Sequence, residues 1–132
     1  MLHKIGIFME PKAFAIGVRI EHPQEMINVG QYGKMASHPR LHAASYNLTY
    51  QSKDLGRGVY SFCMCPGGVV VNAASEEGKT LVNGMSYSKR DGKFSNSAIV
   101  VGIKENEFGD ELFSGMKFQE NLERKTYEIG NN

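Results

Sequence analysis

The chain has 132 residues, 41% apolar and 22% charged, with 15 Lys and Arg against 14 Asp and Glu. That length is the prior for one domain with a real core, and the ordinary composition excludes disordered, collagenous and coiled-coil classes. A formal charge of +1 leaves no electrostatic footprint for nucleic acid or anionic lipid.

The longest apolar runs are a few residues, too short for a membrane-spanning helix. No apolar segment of signal-peptide length opens the chain, so the expected compartment is cytoplasmic. Two cysteines, two positions apart, make no disulfide framework. Residues 1–9 (Met-Leu-His-Lys-Ile-Gly-Ile-Phe-Met) are apolar and uncapped, and read as the end of an element. Residues 12–20 predict a strand, with Phe14, Ile16, Val18 and Ile20 on one face and Arg19 on the other. Pro23 to Tyr32 predicts a short helix stopped by Gly33. Residues 34–44 are irregular around Pro39, and Tyr46 to Tyr50 alternates as a strand.

Val59 to Cys65 and Val69 to Val71 predict two strands, and the Gly67-Gly68 link between them is a hairpin signal. Thr80 to Met85 and Ser97 to Lys104 predict two more, divided by turns at Glu76–Lys79 and Lys89–Gly92. Phe108, Leu112, Met116, Leu122, Thr126 and Ile129 fall roughly on a helical stripe, with Asp110 as its cap, a Glu120–Arg124 pair and Gly130 at its end. The expected fold is α+β: mostly antiparallel β-sheet or barrel, with a short internal helix and a C-terminal helix.

Ser61-Phe-Cys-Met-Cys-Pro-Gly-Gly68 is the densest chemical segment. On a regular strand Cys63 and Cys65 share a face with Cα atoms roughly 6.6 Å apart, near the upper limit for a disulfide. The pair reads as two small buried hydrophobes, or as a thiol redox or soft-metal site. A structural zinc site needs about four ligands and there is no second cysteine pair, so no metal is assigned. Pro66-Gly67-Gly68 reads as a plain turn, or as backbone that comes close to a flat ligand with free amides. Arg19 is the one charge inside an apolar strand, placed on a solvated face or holding a carboxylate or phosphate. Asn83-Gly84-Met85-Ser86 and Asn96-Ser97 are turn formers or hydrogen-bond partners of a ligand. Gly56-x-Gly58-x-x-Ser61 enters a strand and lacks the third glycine, so it is no dinucleotide fingerprint.

Five segments together resemble a known set: Phe14-Ala-Ile-Gly-Val-Arg-Ile-Glu-His-Pro23, Tyr60 to Gly68, Ala74-Ser-Glu76, Asn83 to Ser86 and Asn96-Ser-Ala-Ile-Val-Val101. They resemble the uncharacterised FAD-dependent, or NAD(FAD)-utilising, dehydrogenases over about Phe8 to Gly130. Members of that family are several times longer and open with a Gly-x-Gly-x-x-Gly Rossmann domain, a motif this sequence lacks. The resemblance implies a middle, substrate-side or cap domain, inactive alone, whose partner is the FAD-binding Rossmann part of its own polypeptide. It implies FAD in the full-length protein, NAD(P)H as electron partner and an undefined small-molecule substrate. The residues it turns toward flavin and substrate are Arg19, Cys63, Cys65, Pro66, Gly67, Gly68, Asn83, Gly84, Met85, Ser86, Asn96 and Ser97. The rival readings are a thiol site at Cys63 and Cys65, and a non-catalytic module that self-associates as a homo-oligomer.

Overall fold

The computed structural model describes residues 2–130. Among them run β1 (Phe14–Pro23), α1 (Gln24–Tyr32), β2 (Thr49–Ser52), β3 (Arg57–Cys65), β4 (Gly68–Asn72), β5 (Val82–Ser86), β6 (Phe94–Ile103) and α2 (Ser114–Gly130). The fold is α+β, built on two open antiparallel sheets. One has four strands in the order β1-β6-β3-β2, and the other is the β4–β5 hairpin.

Alternation along β1 sets the two faces of the larger sheet. Phe14, Ile16, Val18 and Ile20 lie opposite Ile103, Val101, Ile99 and Ser97 of β6, while Arg19 lies opposite Ala98 on the other face. Pro23 ends β1 and stands at the N-cap of α1, with Glu25 in its first turn, and Gly33 stops the helix with its N–H on Val29 O.

The expected β3–β4 hairpin does not form. Among the described residues β3 pairs with β2 and β6, whereas β4 pairs only with β5. The Pro66-Gly67 turn instead carries the chain out of one sheet and into the other. Gly67 has φ +52, and a side chain there would overlap the carbonyl of Arg90, so two stretches of backbone touch at this point.

The regular strand expected across Cys63 and Cys65 is also interrupted. Phe62 lies opposite Ala98 and Cys65 opposite Asn96, so one extra residue is inserted. Cys63 takes it up with φ +51, a left-handed conformation that is strained for a cysteine. Cys65 therefore shares a face with Phe62, and its thiol still lies close enough to that of Cys63 for the two to interact.

Other boundaries shift. The strand read at Tyr46–Tyr50 begins at Thr49, because Leu48 N donates to Ser61 Oγ at 2.8 Å and the chain before it leaves the ladder. The C-terminal helix begins at Ser114 rather than after Asp110. Gly109 at φ +102 breaks the path, and Phe108 turns back to stack on Phe14 at 5.1 Å. Glu120 reaches Lys79 at 3.5 Å rather than Arg124, which donates to Asn121, and Thr80 N donates to Glu123 O at 3.0 Å. These contacts tie α2 to the β4–β5 connection.

The apolar core is small. Among the described residues the buried hydrophobic side chains are Ala44, Cys65, Val100 and Ile103. The most deeply enclosed residues are polar: Ser95, Asn96 and Ser97 of β6 are 0% exposed.

Candidate functional site

The polar run of β6 lies where the hairpin crosses the larger sheet. Cross-strand partners share a face, so Arg19, Asn96 and Cys65 project together toward the hairpin. Arg19 Nη1 donates to Asn96 Oδ1 at 2.7 Å and to the Cys63 carbonyl at 3.2 Å. The bulge supplies that second acceptor, since its irregular backbone is not fully paired in the ladder. Gly84 of β5 closes the cluster from above. A methyl group at Gly84 would overlap Asn96 Oδ1 and Arg19 Nη1 and lie 2.9 Å from Arg19 Cζ.

Cys65 lies beside them. Its Sγ donates to the Cys63 carbonyl at 3.3 Å. Burial pushes its thiol above the ordinary value, neighbouring Cys63 adds to the rise, and the charge of Arg19 and the Ser86 hydroxyl work against it. The thiolate is thus disfavoured at neutral pH, and Cys63, not Cys65, is the exposed thiol.

Arg19, Cys63, Cys65, Gly84, Ser86 and Asn96 are therefore brought together. Asn83 and Met85 are exposed and, by alternation along β5, project away from the cluster. Ser97 lies opposite Ile20 on the other face of the sheet, where its hydroxyl donates to the carbonyls of Phe62 or Ala98 at 3.3 and 3.1 Å. Pro66, Gly67 and Gly68 are buried against the chain's own backbone, and Gly67 N donates to Gln24 Oε1 at 2.8 Å.

Three residues outside the sequence-derived set shape the region. Gln24 is 6% exposed, and its Nε2 donates to Asn28 Oδ1 and to Ala44 O, both at 2.9 Å. It joins α1, the segment before β2 and the Pro66-Gly67 turn through one amide. His22 and Tyr46 pack with ring centroids 5.5 Å apart, and His22 Nε2 and the Tyr46 hydroxyl are enclosed without a hydrogen-bond partner. Burial raises Tyr46 above its ordinary value; Ser97 and the charge of Arg19 oppose the rise, although no hydrogen bond of regular geometry reaches the hydroxyl. No spacing or motif announces Gln24 or Tyr46, because both act through folding partners distant in sequence.

An open groove of about 600 Å³ lies away from the cluster, between α1 and the turn before β6, lined by Gln24, Asn28, Arg90, Lys93 and Phe94 among others. It mixes Glu25 and Asp91 with its two cations and focuses no single charge. Among the described residues no helix is long and apolar enough to cross a membrane.

A family model described as "FAD-dependent protein, C-terminal domain-like" matches residues 13–132. The chain belongs to that family. A Clostridium beijerinckii protein, itself described as an uncharacterized protein, is 59% identical over 131 residues, an alignment that covers 98% of this chain and 25% of that protein. The chain thus spans about a quarter of the length of the curated relative it matches.

Proposed function

We propose that this chain is the substrate-side domain of an FAD-dependent oxidoreductase, a dehydrogenase, and that it covers the flavin and shapes the pocket without being catalytic alone. The observation that carries this reading is its surface. The accessible area is 10052 Å² for 14.6 kDa, against roughly 6,900 Å² for a compact monomer of that mass. The surplus of about 3,100 Å² is on the scale that obligate interfaces conceal. Large apolar side chains contribute to it: Val18 and Tyr50 on one face of the sheet are 67% and 68% exposed, and Phe62 on the other is 62% exposed. Apolar surface on both faces suits a domain embedded in a larger polypeptide better than one that stands free.

The donor set fits a covering role. Arg19, held by Asn96, offers N–H groups to acceptors on a substrate or on the carbonyl edge of a flavin ring. FAD, held by the rest of a polypeptide of the relative's length, would supply hydride transfer. This chain's residues bind, orient and exclude water. The thiol reading draws less support, because burial, reinforced by neighbouring Cys63, holds Cys65 in its neutral form.

The test compares the 132-residue segment with a polypeptide of the relative's length that carries it. The long form is expected to purify with FAD, and the segment to bind none at micromolar concentration. Tight FAD binding by the segment, with reduction by a nicotinamide, would overturn the proposal.

A further inference from the structure

Arg19 is held from one side only. Both acceptors of its guanidinium, Asn96 Oδ1 and the Cys63 carbonyl, are met by Nη1. A guanidinium carries five N–H donors, and Nε and Nη2 make no hydrogen bond among the described residues. No carboxylate pairs with Arg19 among them either. Glu21, which follows it on the same face of β1, is exposed and forms no ion pair with it. A half-buried cation is thus oriented but not neutralised, an arrangement that structural arginines avoid.

A second observation bears on the same spot. Asn96 is 0% exposed, its Oδ1 is committed to Arg19, and its Nδ2 has no partner. An enclosed amide without an acceptor is uncommon and destabilising. Here it lies beside a guanidinium, so donors outnumber acceptors throughout the cluster. The hairpin passes over this point with Gly84, where a larger residue would displace both groups.

We propose that Arg19, held in position by Asn96, is the anchor for one carboxylate group of the substrate, so that the substrate is an organic acid. The inference deepens the substrate-side reading above and rests on it. A carboxylate presents acceptors only, carries one negative charge and matches the fork of Nε and Nη2 bidentately. The cluster holds one cation, which suits a monoanion better than a phosphate dianion.

The experiment uses the flavin-loaded polypeptide of the relative's length and the same protein stripped of flavin. Acetate and benzoate are each titrated against their amides, acetamide and benzamide, and against inorganic phosphate, by calorimetry. At least one carboxylate is expected to bind about tenfold or more tightly than its amide and than phosphate, the range of a charged hydrogen-bonded pair. Arg19→Lys, which keeps the charge but loses the fork, should weaken it about tenfold. Asn96→Asp places an internal carboxylate against the guanidinium and should abolish binding, with a melting temperature near that of the parent. Carboxylates no tighter than their amides, phosphate as tight as either, or binding unchanged in both folded variants would overturn the subsite. Arg19-dependent carboxylate binding that leaves the flavin absorption untouched would keep the subsite and remove the flavin-facing reading. Normal flavin content with Arg19-independent binding would do the reverse.

Discussion

Replacing Gln24 by Ala should be among the most damaging single changes in this chain. One buried amide makes three hydrogen bonds: it donates to Asn28 Oδ1 and Ala44 O, and accepts from Gly67 N. After truncation Gly67 N–H is a buried donor with no acceptor, worth about 1–3 kcal/mol, and Ala44 O loses its side-chain partner for about 1 kcal/mol more. Asn28 Oδ1 keeps Ala44 N at 2.9 Å, so that contribution is small. The void left by the side chain adds about 1 kcal/mol. The total is about 3–5 kcal/mol, a large share of the roughly 5–15 kcal/mol that holds a domain together. With no tryptophan in the sequence, urea unfolding is followed by tyrosine emission and circular dichroism. At an m-value of about 2 kcal/mol/M the midpoint should fall by about 2 M. A Gln24→Glu comparator keeps the acceptor for Gly67 but loses both donations, so it should be no more stable than the Ala variant at neutral pH. A midpoint within about 0.3 M of the parent, at equal m, would refute the claim that this amide ties three segments together.

Gly84→Ala should displace the Arg19 guanidinium and break its bond to Asn96, lowering stability by about 2–4 kcal/mol; a thermal melt that matches the parent would count against the close approach. Iodoacetamide at pH 8 should label Cys63 in the folded protein and Cys65 only after denaturation, since Cys65 is buried and its thiol raised; equal rates in peptide mass mapping would contradict this. Glu105 is held below the ordinary carboxylate value by its own backbone N–H and that of Ala13, and Glu107 by the N–H of Lys104 and then by the Arg57 ion pair. Both favour the ionised form in the folded state. Their contribution is therefore present above the unfolded value near 4.5 and lost as pH falls through the lower folded value. Melting temperature should drop on acidification from pH 5 to 3, and less steeply in Glu107→Gln.

The sequence is informative where local pattern decides the structure. Period-two alternation places Phe14 through Ile20 on one face and Arg19 on the other, and Pro23 and Gly33 bracket α1 as their backbone preferences require. Legibility ends where partners are distant. Gly67-Gly68 carries the chemistry of a tight turn, but whether such a turn folds a strand back or passes it to another sheet depends on β5 and β6, not on the turn. The inserted residue at Cys63 is invisible for the same reason, because its φ is imposed by the register with β6. Arg19 and Asn96 are readable as polar residues on strands, but their meeting is not, since it needs both the bulge and the hairpin above it.

The strand order has a consequence for how the chain assembles. β1 precedes the other strands but sits on an edge, and among the described residues its one partner is β6: Phe14 waits for Ile103 and Pro23 for Phe94. The β2–β3 and β4–β5 pairs close over short loops and can form as soon as they are synthesised. β1 cannot, because joining it to β6 closes a loop that holds the four other strands, and such non-local pairing is slow. Until Ile103 has left the ribosome, an apolar ten-residue strand therefore remains unpaired, with both backbone edges free to recruit other chains. Arg19 and Glu21, set among its apolar residues, interrupt that run with charge during the interval.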